Sequence, residues 1–180
     1  MDPCKPPPPI RAAVLGVWCA LDEGGIQMET IEQMKFARGY TLGQLSKLEG
    51  ADWDRVHPGF SNNIRWNAGH IFVSLENFAK MIAPDYEIEQ PEWAGLFNTG
   101  TSPVNWDEEG PSKEEILSAL KVQTDRIAGA LGEKLDARLG RPLEIAGHEM
   151  DTGEKLLQFA VWHEGIHAGI LNAMAHLAKA

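Results

Sequence analysis

The chain has 180 residues, a formal net charge of −10 and two cysteines, Cys4 and Cys19. That length suits one domain with a real core, while the acidic balance with no basic face argues against nucleic acid as a partner. No apolar run reaches the length of a membrane span, and two cysteines that form neither a disulfide framework nor a Cys-x-x-Cys pair fit a reducing, cytoplasmic setting.

Residues 1–26 differ in character from the rest. Pro6 to Pro9 favour extended polyproline, and a short apolar patch from Ala12 to Leu21 follows. A basic start with a brief apolar stretch imitates a signal peptide, but Trp18-Cys19 stands where small residues are needed and no A-x-A-like site follows. The reading is a poorly packed tail over 1–26 ahead of a helical domain over 27–180, with Met28 as an alternative start.

From Gln27 the pattern turns helical. Ile31, Met34, Arg38, Thr41, Leu45 and Leu48 recur at threes and fours, and Gly50 closes the segment. A connector with His57-Pro58-Gly59 reads as a turn, after which Ser61 or Asn62 caps a second helix running to about Ile82, stopped by Pro84. Its core stripe is Ile64, Ala68, Ile71, Phe72, Leu75, Phe78 and Ala79. His70 lies at the edge of that stripe, with Asn63, Trp66 and Asn67 one or two turns before it. Taken alone, His70 reads as a core-edge histidine bonded to a neighbouring helix.

Between Ala83 and Pro111 prolines and glycines break the periodicity, yet Trp93, Phe97 and Trp106 supply apolar anchors. This predicts a long, packed crossover along the helices or over one end of them. Ser112 with Glu115 forms an S-x-x-E capping box, and Ile116, Leu117, Leu120, Thr124, Ile127, Ala128 and Leu131 carry a third helix to about Leu135. A second connector, Asp136–Asp151, contains Arg141-Pro142, a brief alternation at Leu143 and Ile145, and His148, expected at the surface. Thr152 then caps a fourth helix.

That fourth helix is apolar over most of its circumference, which predicts a central position with His163 and His167 in or near the interior. A charged imidazole is costly there, so each is neutral and paired, or bound to a metal. Two histidines four apart project from one face of a helix and can converge on one ion. The stretch His163-Glu164-Gly165-Ile166-His167 also spells HExxH, the zinc-peptidase motif. A zincin takes its third ligand from downstream, however, and here position 173 is alanine and no acidic residue follows His167. The pattern has almost no strands to hold a peptide substrate either. A third ligand has to come from upstream.

Trp66-Asn67-Ala68-Gly69-His70-Ile71 resembles the W-x-x-G-H-I element of the DinB-like superfamily (DinB/maleylpyruvate isomerase-like), and His163-x-x-x-His167-x-Gly169 resembles its H-x-x-x-H-x-G element. Phe97-Asn98-Thr99-Gly100-Thr101-Ser102-Pro103 with Trp106 is similar to a crossover segment of one branch. The resemblance spans roughly Met28 to Ala180. It implies an all-α four-helix bundle with a long crossover between helices two and three, and His70, His163 and His167 as ligands of one divalent metal, zinc or nickel. It also implies a homodimer. Relatives often carry Arg-Gly-Gln after the last histidine where this chain has Ala168-Gly169-Ile170, so a polar group near the ion is missing.

Three neutral imidazoles leave a coordination position open, the pattern of a catalytic rather than a closed structural site. The expectation is therefore a metal-dependent enzyme acting on a small molecule, of the transferase or isomerase type that uses a low-molecular-weight thiol. Asn67 and Glu164 are candidates to orient the ligands. The alternative is a non-catalytic, stress-related metal-binding protein in which the ion is structural.

Overall fold

The computed structural model describes residues 23–107 and 109–178. The expected tail falls almost wholly outside them. α1 (Glu23–Ser46) begins four residues earlier than the periodicity suggested and ends in a series of turns through Gly50. α2 (Ile64–Ile82) is capped by Asn63, not Ser61 or Asn62: the Asn63 side-chain oxygen accepts from the Trp66 backbone N–H. The crossover, residues 83–112, carries two 3₁₀ turns and the single-turn helix α3 (Ala94–Phe97). α4 (Lys113–Leu131) opens with the full capping box of Ser112 and Glu115, then tightens into a 3₁₀ segment to Asp136.

The second connector contains a feature the sequence reading did not anticipate. β1 (Arg138–Ile145) pairs antiparallel with β2 (His148–Thr152). Ala146 and Gly147 turn the chain with φ of 51° and 80°, the positive values that a two-residue hairpin loop requires. The alternation at Leu143 and Ile145 was the trace of this strand, and His148 begins β2, exposed. α5 (Gly153–Leu177) follows directly, with the Thr152 hydroxyl accepting from Lys155 N. The chain is thus mostly helical, with one small hairpin.

Side-chain pairs give the helices their directions. Thr30 donates to Glu154 and Arg38 to Glu164, so α1 and α5 run parallel. Arg65 reaches Pro111 and Gln123 reaches Phe72, so α2 and α4 also run parallel. Antiparallel contacts join the two pairs: His70 meets His163, and Arg38 meets the Leu120 carbonyl. Residues 83–112, with α3 among them, join the end of α2 to the start of α4.

The core divides into two apolar clusters. One gathers Leu45, Trp53, Ile64, Phe72, Trp93, Phe97, Ile116 and Leu171; the other gathers Met34, Leu75, Ile82, Ile127, Leu131, Leu156 and Leu157. Between them lies a buried polar layer. Arg38 donates to both Glu164 carboxylate oxygens, to the Leu120 carbonyl and to Gln123 Oε1. Gln123 donates in turn to the Phe72 carbonyl and Glu76, and Glu76 accepts from Tyr86, Arg126 and the Glu89 N–H. Arg38, Glu164 and Glu76 each therefore face an opposite charge, and Arg38 and Glu76 have further hydrogen bonds, the condition under which burial is tolerated.

The fourth helix is central in that it packs on α1, α2 and the hairpin, but it is not covered all round. α5 buries Leu156, Leu157, Ala160, Glu164, Ala168, Leu171 and Met174 along one side. Its opposite side is open, with Trp162 59%, Ile166 42% and Leu177 46% exposed. Apolar residues all round do not make this helix surrounded, because only its inner face has a partner among the described residues.

Candidate metal centre

Local chemistry places His70. Gly69 lets the crossover approach: a Cβ there would lie 2.5 Å from the Phe97 ring, so only hydrogen fits against the crossover at this point. With Phe97 seated on Gly69, its carbonyl accepts from His70 Nδ1 at 2.6 Å. That bond puts the proton of His70 on Nδ1 and leaves the Nε2 lone pair free. Trp66 stacks on the imidazole, with centroids 4.4 Å apart and planes 11° from parallel, and is itself held by an indole N–H bond to Thr101.

His163 and His167 present themselves one turn apart on α5, at the α2 side. His70 Nε2 and His163 Nε2 stand 3.1 Å apart. His167 Nδ1 lies 2.9 Å from Asn67 Oδ1 and donates to it, while Asn67 Nδ2 donates to the Asn63 carbonyl. The capping turn of α2 thus fixes the amide, and the amide fixes the imidazole, leaving His167 Nε2 as its free nitrogen. One nitrogen from each of the three rings lies within 4.8 Å of the others.

Charge is excluded from this cluster. Burial lowers the pKa of His163 to about 4 and that of His167 to about 3, and repulsion from the neighbouring imidazoles adds to both. Burial also lowers His70, against the opposing effect of its bond to the Phe97 carbonyl. Three neutral imidazoles with one nitrogen each converging, two of them held through Nδ1 by oxygen acceptors, form a donor set suited to a divalent cation of intermediate softness.

The two candidates for orienting the ligands separate cleanly. Asn67 contacts His167. Glu164, although it lies between the histidines in sequence, is turned about a quarter of the way around α5 from them, toward α1, and is 4% exposed, spent on its ion pair with Arg38. The HExxH glutamate therefore serves the interior of the helices, the further reason a peptidase reading fails. Sequence reasoning missed two contributors. Ser74, one turn past His70, has its hydroxyl 3.4 Å from His70 Nε2; the i, i+4 spacing was the available signal. The Phe97 carbonyl carries no side-chain signature at all.

A groove of about 1030 Å³ runs between the crossover and α4, lined by Trp93, Trp106, Glu92, Glu114 and Val122, and none of the three histidines borders it. Among the described residues, no helix is long and apolar enough to cross a membrane. No curated protein matches the chain. The family model of the DinB superfamily matches residues 33–171, which include all three histidines, both motifs and the crossover, and the chain belongs to that superfamily.

Proposed function

We propose that His70, His163 and His167 hold one divalent metal, zinc or nickel, and that the protein is a metal-dependent enzyme of the thiol-using transferase or isomerase type, built on the four-helix bundle with crossover that its superfamily suggests. The observation that carries the reading is the convergence of three uncharged imidazoles, with orienting oxygens on the Nδ1 atoms of His70 and His167. When bound, such an ion supplies Lewis acidity, which lowers the pKa of a thiol or polarises a carbonyl. The chain's own residues do the rest. Phe97 and Asn67 keep the lone pairs of His70 and His167 aimed inward, and the aromatic rings of Trp66, Phe78 and Phe159 around the histidines restrict water.

One observation favours the non-catalytic alternative. Glu164 is committed to Arg38, so the carboxylate nearest in sequence is unavailable as a proton acceptor beside the histidines. The two readings part on experiment. Protein purified without a polyhistidine tag is expected to carry one zinc or nickel per chain by elemental analysis, and His70→Ala to carry almost none. Turnover with one of a panel of low-molecular-weight thiols supports the enzyme; metal-dependent stability without turnover supports the structural ion. Unchanged metal content in His70→Ala would overturn both.

A homodimer is part of the same proposal. Phe36 on α1 is 77% exposed, and Trp162 on α5 59%. The Arg38–Glu164 pair sets both residues at one level, each two positions before its partner in that pair. From Leu156 to Ala178 the α5 sequence carries no Asp, Glu, Lys or Arg other than the buried Glu164, so this face lacks the charge that would separate two acidic copies. Sedimentation of the full chain should report a dimer, and Phe36→Glu a folded monomer; a monomeric parent would refute it.

A further inference from the structure

Ser74 stands out among the groups near the histidines because of what a metal would take from it. The residue is 8% exposed, and the hydroxyl makes one hydrogen bond among the described residues, to His70 Nε2 at 3.4 Å. Since the His70 proton sits on Nδ1, against the Phe97 carbonyl, Nε2 is an acceptor, and the serine hydroxyl donates to it at 3.4 Å beside His163 Nε2 at 3.1 Å. That same lone pair is the one His70 would offer to an ion. Once it is committed, a buried O–H donor is left without its acceptor, and such a donor is costly unless a new acceptor arrives.

The position of the hydroxyl says where that acceptor would be. Ser74 Oγ lies 3.4 Å from His70 Nε2, the nitrogen that would face an ion, so the hydroxyl borders the space beside that nitrogen. Asn67 and Phe97 are occupied in orienting histidines, and Glu164 is bonded to Arg38. Ser74 is thus the polar side chain left to meet whatever enters beside His70.

We infer that Ser74 is a ligand-contacting residue: its hydroxyl donates to the oxygen or sulfur acceptor of the small molecule that fills the coordination position left open by the three histidines. This rests on the three-histidine reading and adds to it the partner that the substrate's donor atom meets. It selects for an anionic or strongly accepting atom, a thiolate, carboxylate or enolate oxygen, over a neutral amine, which has no lone pair to spare once it ligates.

The test uses cobalt(II) as a spectroscopic stand-in for the native ion. Ser74→Cys should add a near-ultraviolet sulfur-to-cobalt charge-transfer band, because a thiolate at this position reaches the ion. Ser74→Ala should still take up one cobalt, show altered visible d–d bands, and bind 2-mercaptoethanol about five- to tenfold more weakly, the loss of roughly one hydrogen bond. Ser74→Thr, which keeps the hydroxyl, should restore that affinity. If the parent chain takes up cobalt but Ser74→Cys shows no such band and Ser74→Ala matches the parent in spectrum and thiol affinity, the hydroxyl has turned back to its own helix and the inference falls. If the parent chain takes up no cobalt, the three-histidine reading falls first and this inference with it.

Discussion

Asn67 and Glu164 show how one turn of helix decides a residue's work. Asn67 sits three residues before His70 and accepts from His167, so it ties the histidine-bearing sides of α2 and α5 together. Asn67→Ala should lower metal affinity by roughly 10- to 100-fold, the usual cost of losing a group that orients a ligating histidine, with little change in helix content. Competition with a chromophoric chelator measures this, and an unchanged affinity would remove Asn67 from the site. Glu164 carries the opposite expectation. Glu164→Leu leaves Arg38 buried without its counter-ion and should destabilise the fold by about 3–5 kcal/mol. Much of that should return when Arg38→Met is added. Urea denaturation of the metal-free single and double variants checks it, and a Glu164→Leu chain as stable as the parent would contradict the assignment.

At the scale of the elements, the crossover is a working part of the site and not merely a cover. α3 places Phe97 over Gly69 and its carbonyl on His70, so the packing of an apolar ring and the tautomer of His70 are set by one contact. Gly69→Ala forces the added methyl into that ring. The expectation is a loss of about 1–3 kcal/mol from overpacking, together with weaker metal binding as the carbonyl moves off Nδ1. Adding Phe97→Leu should recover stability by making room. Thermal melts with and without metal measure both effects. A fully stable Gly69→Ala chain with parental metal affinity would show that α3 adjusts freely and positions nothing. The same logic of close approach holds at Gly153, where a Cβ would lie 2.9 Å from the Leu135 backbone, fixing how α5 leaves the hairpin.

For the whole molecule the buried imidazoles make stability depend on pH. An unfolded chain binds protons at histidine near pH 6.5, whereas His163 and His167 in the fold hold out to about 4 and about 3. Below pH 6.5 the unfolded state therefore binds more protons than the folded one, and stability falls with pH. The contribution is fully present above about pH 7 and is lost progressively as the pH drops from about 6.5 toward 4. Denaturation midpoints of the chelator-treated parent should fall across that range, and the triple exchange of His70, His163 and His167 to Gln should flatten the slope. An equal slope in both would place the titrating groups elsewhere.

Much of this protein could be read from its residues because the information is local. Spacing of three and four marks the helices, the Ser112–Glu115 box marks where α4 starts, and His163 with His167 on one turn announces a shared ligand. The Trp66–Ile71 element pointed to His70, which its place on the helix alone did not. What the residues could not decide depends on partners remote in the chain. Glu164 and Asn67 were equal candidates until Arg38, 126 positions away, claimed the first and His167, 100 positions away, claimed the second. The apolar girth of α5 said nothing about which side would be covered, since burial belongs to the packed neighbour and not to the residue. The hairpin was hidden because a strand this short draws its stability from the chain it pairs with, not from its own pattern. The three histidines of the candidate metal centre are thus a property of the sequence; their aim, through the carbonyl of Phe97 and the amide of Asn67, is a property of the fold, because hydrogen bonds between distant segments exist only once packing has brought those segments together.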